Sequence, residues 1–286
     1  MRIAASWIGP GVPPHGFAGR VAATHARACL IALTNDRLVT LVTPEVGGLP
    51  HGITVDTPDG FSFERSLRVG ARAAVRGGML RVDDGLCIDL RAACPWRSHL
   101  DDVALNLAHE PIRRAWDAAW SALRAHGTFA PLLQRSGAAI LRMGEATCDL
   151  YSACARQAMS ELIGVGEGST PAGDDYLVGH FAGLWSCVGE DGARHRFIAE
   201  IGASLRDMAS RTNRVSRVYL EAAADGEVSE RLATLLCGIA AGAGGEPIAV
   251  ATAAALAVGH SSGAYGVLGL LLGSAAWGPR MDRCAV

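Results

Sequence analysis

Lysine is absent from this 286-residue chain: all 26 of its basic side chains are arginine. That absence excludes a Schiff-base lysine and the lysine of a Walker-type phosphate loop, and it leaves guanidinium forks as the permanent cations. An excess of one charge is also missing. The formal charge is −2 and no block of like charge occurs, so the counterion release that drives nucleic-acid binding has no footprint here, and no nucleic-acid partner is expected. The eight cysteines include no CxxC pair. The nearest couples, Cys87 with Cys94 and Cys148 with Cys154, have neither zinc nor redox spacing, so buried free thiols in a reducing compartment are the expectation. A long unbroken apolar run is lacking too. The stretch 248–277 is cut by Gly259, His260, Ser261, Ser262 and Gly263 into segments too short to span a membrane. Proline and glycine interrupt the amino-terminal stretch where a secretion signal needs continuous apolar sequence, so a cytoplasmic location is expected.

Half of the residues are apolar, enough to bury a full core at this length. Up to about residue 100 the signals are strand and turn. Residues 28–34 and 38–43 read as a hairpin across Asn35-Asp36, followed by strands at 52–55 and, around Asp83-Asp84-Gly85, at 79–82 and 86–90. The loop 44–52 is too rich in Gly and Pro for regular structure. From about Asp101 onward, Ala and Leu recur at helical spacing near 103–125, 130–160, 174–188, 193–210, 214–224, 228–241, 247–258 and 264–277. The expected fold is therefore α+β: a β-rich domain over 1–100 and a larger helical domain over 101–286, divided between Pro95 and Asp102.

Two of the helical segments repeat one pattern. Gly173, Gly179 and Gly183 have the same spacing as Gly263, Gly269 and Gly273, and small hydroxyl residues precede each set: Ser169 and Thr170, then Ser261 and Ser262. Glycines four apart leave a flat stripe on which two helix backbones can approach, so these two helices are expected to touch.

The segment Gly164-Val-Gly166-Glu-Gly168-Ser169-Thr170-Pro171-Ala-Gly173-Asp174-Asp175 runs into the start of the first of them. Alternating glycines expose main-chain N–H groups, and a helix start adds unpaired donors with partial positive charge, which makes an anion site without lysine. A plain loop capped by Thr170 or Asp174 and fixed by Pro171 is the competing explanation. Its spacing matches neither the Rossmann nor the Walker fingerprint. Successive helical residues project about 100° apart, so one of Asp174 and Asp175 should face the pocket while the other caps or meets solvent. A carboxylate there suits a general base or a bridging Mg²⁺. If the loop Gly259 to Gly263 converges on the same pocket, His260 supplies a donor that titrates near neutral pH. Among Arg211, Arg214 and Arg217, Arg214 is the expected inward anchor for a carboxylate, with Thr212 beside it. His51, between Pro50 and Gly52, either reaches the same pocket or is an ordinary turn histidine.

These segments, in this order, resemble a bacterial family once known only as a domain of unknown function, which includes the AllH-type subunit of oxamate carbamoyltransferase in allantoin degradation. The resemblance runs from about residue 20 to residue 277. Glu167 and Ser169 depart from the motif GxGxGLTPxGDDxLxG, and Ala264 replaces a commoner polar residue in the second loop. What the resemblance implies is carbamoyl transfer between phosphate and oxamate, giving oxalurate, with the chain working beside partner subunits; self-association is left open. On that basis Asp174, Asp175 and His260 are the expected catalytic groups. Gly166, Gly168, Ser169, Thr170, Gly173, Ser261, Ser262, Gly263, Thr212, Arg214 and His51 are the expected contacts for a small anion such as phosphate, carbamoyl phosphate or a short carboxylate. No cofactor other than Mg²⁺ is suggested. Two further functions are compatible with the same loop: a phosphotransferase using Mg²⁺ and a nucleotide, and a non-catalytic scaffold that binds an anion.

Overall fold

The computed structural model describes residues 1–34 and 37–279. The fold is α+β, in two compact units, Met1–Ser98 and the chain from His99 onward.

The first unit consists of β1 (Arg2–Ile8), β2 (Ala18–Thr24), β3 (Ala28–Leu33), β4 (Leu38–Val42), β5 (Gly52–Val55), a short helix α1 (Phe63–Ser66), β6 (Arg72–Arg76), β7 (Met79–Val82), β8 (Leu86–Asp89) and β9 (Cys94–Pro95). Hydrogen bonding runs β5-β4-β3-β2-β6-β7-β8-β1-β9, and β1 also pairs with β5, so the sheet closes into a barrel. β1 closes it by dividing its length. Arg2 to Ala4 pair in parallel with β8, while Ala5 to Ile8 run antiparallel to β5. Closure removes the exposed edges of an open sheet. The interior is filled by Ile31, Leu41, Ile53, Leu80 and Ile88, all fully buried, and β3 alternates inward and outward residues along its length.

The five strands expected from sequence are present, while the Asn35-Asp36 turn lies outside the described residues. The Gly/Pro-rich loop 44–51 is a crossover between two parallel strands, β4 and β5. Gly9 and Gly11 donate main-chain hydrogen bonds to the carbonyls of Gly52 and Pro50, tying the loop to the end of β1.

The second unit contains α2 (Glu110–His126), α3 (Ala130–Cys148), α4 (Ser152–Leu162), α5 (Ala172–Cys187), α6 (Gly192–Met208), α7 (Arg214–Ala224), α8 (Glu230–Ala240), α9 (Glu246–Leu256) and α10 (Ser262–Ser274). Two expected helices are corrected. The first starts at Glu110 rather than near 103, because Pro111 belongs to its first turn. The segment 130–160 is two helices. α3 ends where Leu150 takes φ 53°, with Tyr151 N–H bonded to the Ala146 carbonyl and Leu150 N–H to that of Thr147, a left-handed cap that usually employs glycine.

α5 and α10 form the centre of this unit and are apolar around most of their circumference, as helices wrapped on all sides must be. They meet main chain to main chain, as the glycine pattern predicts. A Cβ added at Gly179 would lie 1.9 Å from the Gly266 carbonyl oxygen, and one at Gly269 would lie 2.0 Å from that of Tyr176. At Gly183 and Gly273 an added Cβ would lie 2.4 Å and 2.3 Å from the carbonyl oxygens of Leu270 and His180. His180 is fully buried between Thr147 Oγ1 at 3.4 Å and Tyr176 OH at 3.5 Å, and burial lowers its pKa to about 4.

No helix among the described residues is long and apolar enough to cross a membrane. The described cysteines are all free, but only Cys29 is buried; Cys94, Cys148, Cys154 and Cys237 are exposed. The expectation of buried thiols fails because those four stand on outward faces of their elements.

Candidate functional site

The α5–α10 contact brings together two loops of similar construction. Gly173, at the start of α5, lies against the end of α4: its Cβ would be 2.0 Å from the Leu162 carbonyl oxygen. Gly263 stands likewise 2.3 Å from the carbonyl oxygen of Ala255 in α9. The N–H of Gly173 donates to Val165 and that of Gly263 to Val258, at 2.8 and 2.9 Å. With the helix shafts locked along their glycines, the amino ends meet, and Thr170 Oγ1 and Ser262 Oγ form a 2.7 Å hydrogen bond.

Above this junction lies a cleft of about 580 Å³ lined by Val165 to Thr170, Ala172, Gly259 to Ser262, Tyr265 and, from α3, Pro131, Leu132 and Arg135. Gly164, Gly166 and Gly168 have φ of 75°, 113° and 103°, a conformation costly for any residue with a Cβ. The alternating backbone leaves many donors unspent. The main-chain N–H groups of Gly166 to Thr170, Ala172 and Gly259 to Ser262 have no acceptor among the described residues, and each of these residues lines the cleft. Together with the amino ends of α5 and α10, these donors present partial positive charge to a guest.

The adjacent carboxylates serve different neighbours. Asp174, 1% exposed, accepts from Gly164 N–H at 2.8 Å and from Thr212 Oγ1 at 2.5 Å. It is therefore the brace that closes the glycine loop onto the turn before α7. Asp175 lies on the other side, by Ser262 and Thr170. Burial raises its pKa to about 7; the Ser262 and Thr170 hydroxyls pull the other way, and the negative charge of Asp174 adds to the rise. Its buried Oδ2 has no hydrogen-bond partner among the described residues. The N-cap of α5 is Pro171, without a side-chain cap bond, so neither Thr170 nor Asp174 caps this helix.

Of the other residues singled out in the sequence, Gly166, Gly168, Ser169, Thr170, His260, Ser261 and Ser262 come together around the cleft. Gly173 and Gly263 lie beneath it as packing glycines. Thr212 reaches the site through Asp174. Arg214 is exposed on the first turn of α7 and is not among the lining residues. His51 belongs to the first unit, where its ring covers Gly11. Among the described residues no group of three or more His, Cys, Asp or Glu is placed to hold a metal ion, and both oxygens of Asp174 accept hydrogen bonds. Arg135 and Tyr265 are lining residues that sequence reasoning missed. Both are single members of otherwise ordinary helical runs.

Two family models match the chain. Residues 162–274, from the end of α4 to the end of α10, match the family model described as oxamate carbamoyltransferase subunit AllH. Residues 10–95, most of the barrel, match the AllH family N-terminal domain. No curated protein and no solved structure matches. With both family models matched in order and most of its length covered, the chain belongs to the AllH family.

Proposed function

We propose that this chain is a subunit of a carbamoyltransferase and that its cleft takes part in moving a carbamoyl group between phosphate and oxamate. The observation that carries this reading is the set of unpaired main-chain N–H groups that two helix-start loops direct around one cleft. Such donors stabilise a phosphate group and the oxyanion that develops on an attacked carbonyl.

In the synthetic direction, the amide nitrogen of oxamate attacks the carbonyl carbon of carbamoyl phosphate and the bond from that carbon to the phosphate oxygen breaks. The proton leaving nitrogen passes to Asp175 and then to the departing phosphate, giving oxalurate and hydrogen phosphate. A carboxyl group that titrates at about 7 is matched to taking and returning a proton near neutrality. The 166–170 loop would hold the phosphate, and the 259–262 loop, with His260, the carbonyl oxygen. Cytoplasmic location and the supply of further catalytic groups by partner subunits belong to the same reading.

The test is turnover of the assembled complex, followed as phosphate-dependent cleavage of oxalurate. Asp175→Asn should lower kcat by about 100-fold or more while phosphate binding persists. Unchanged turnover would remove the carboxyl group from the chemistry and leave this chain as an anion-binding scaffold.

A further inference from the structure

Arg135 stands apart from the two loops, on the α3 wall of the cleft beside Pro131 and Leu132. It is the one arginine among the lining residues. Elsewhere on the same helix, Arg142 is paired with Glu161, whereas Arg135 has no hydrogen bond or ion pair among the described residues. It is exposed, so its head group can swing over the opening. Neither family-matched stretch includes α3.

The charges around the cleft give such a cation a purpose. Glu167 lines it, and Asp175 is buried beside the lining residues Thr170 and Ser262. Main-chain donors and helix ends can satisfy one tetrahedral anion without help from a side chain. A second anionic group in the same cleft would face Glu167 and, when it is ionised, Asp175, and a planar carboxylate is the group that a guanidinium fork meets with two parallel hydrogen bonds. We propose that Arg135 is the specificity-determining residue that grips the carboxylate of the acceptor, from the α3 wall of the cleft. This rests on the carbamoyltransferase reading for the identity of the acceptor, but the grip itself can be measured as binding.

The experiment compares the full-length wild-type chain with Arg135→Gln and Arg135→Lys, following thermal unfolding with oxamate and, separately, with inorganic phosphate. Oxamate should raise the unfolding temperature of the wild type, fail to do so in Arg135→Gln, and act weakly on Arg135→Lys, which keeps the charge and loses the fork. Phosphate should protect all three. In the assembled complex, Arg135→Gln should raise KM for oxamate about tenfold or more, the loss of one charge-assisted contact, with kcat and KM for carbamoyl phosphate within about twofold. Oxamate protection that is absent in wild type or undiminished in Arg135→Gln overturns the proposal, as does an equal loss of phosphate protection. Arg135-dependent oxamate binding in a complex that transfers no carbamoyl group would sink the carbamoyltransferase reading and leave the carboxylate grip standing.

Discussion

Thr170 and Ser262, 92 positions apart, share a 2.7 Å hydrogen bond where the amino ends of α5 and α10 meet. Both hydroxyls also hold down the pKa of Asp175 against the larger effect of burial. Replacing either should therefore raise that pKa above its value of about 7, since a hydrogen bond to the charged form is lost. In Ser262→Ala the acid limb of the pH–rate profile of the complex should move to higher pH. An unmoved limb would show that another group sets it.

The α5–α10 seam should tolerate no side chain. Gly179→Ala and Gly269→Ala each place a methyl group about 2 Å from a carbonyl oxygen, a collision that neither helix can relieve by a rotamer change. A loss of about 3 kcal/mol, at the upper end for overpacking, is expected. Gly144, within α3, has nothing within 4 Å of an added Cβ. Gly144→Ala should accordingly stabilise by about 0.5–1 kcal/mol through helix propensity. Denaturant midpoints of the three variants decide the matter.

Asp174 should act as a brace. Its removal strands Gly164 N–H and the Thr212 hydroxyl, and Asp174→Ala should cost about 1–3 kcal/mol. Amide hydrogen exchange through 164–170 should quicken in this variant and, by less, in Thr212→Val. Protection that stays at wild-type level would assign closure of the loop to the glycines alone.

Two buried groups should tilt stability with pH in opposite directions. Asp175 releases its proton at about 7 when folded, against an ordinary 3.8. Between those values the folded chain binds the extra proton, so this contribution to stability is lost as pH rises through the window. His180 gains its proton only near 4 when folded, against an ordinary 6.5. There the unfolded chain binds the extra proton, and stability is lost as pH falls from 6.5 toward 4. Asp175→Asn should hence be more stable than wild type above pH 7, with the gap closing toward pH 4, while His180→Gln should flatten the acid side. Urea midpoints at pH 4.5, 6 and 8 separate the two.

Much of this was legible because glycine carries positional information. The repeated spacing of Gly179/Gly183 and Gly269/Gly273 announced a helix contact, and the alternation of Gly164, Gly166 and Gly168 announced a loop with positive φ; both are found. The break at Leu150 was invisible, because a leucine in the left-handed region is held there by the carbonyls it caps and leaves no mark in the local sequence. β1, β2 and β6 were missed for a related reason. Their alanines and arginines are poor strand formers in isolation, and closure of the barrel supplies what propensity lacks. The division of labour between Asp174 and Asp175 needed Thr212, 38 residues away. Arg135 needed the packing of α3 against the loops.

Where α5 and α10 touch, peptide groups bear directly on peptide groups, so this part of the molecule has no soft parts with which to absorb a shove. The mouth above it rests on that contact, with one rim on the lead into each of the two helices. An engineer seeking a different guest should therefore leave the spine untouched and work at the periphery, on the α3 face and the two loop crests, where side chains still have somewhere to go.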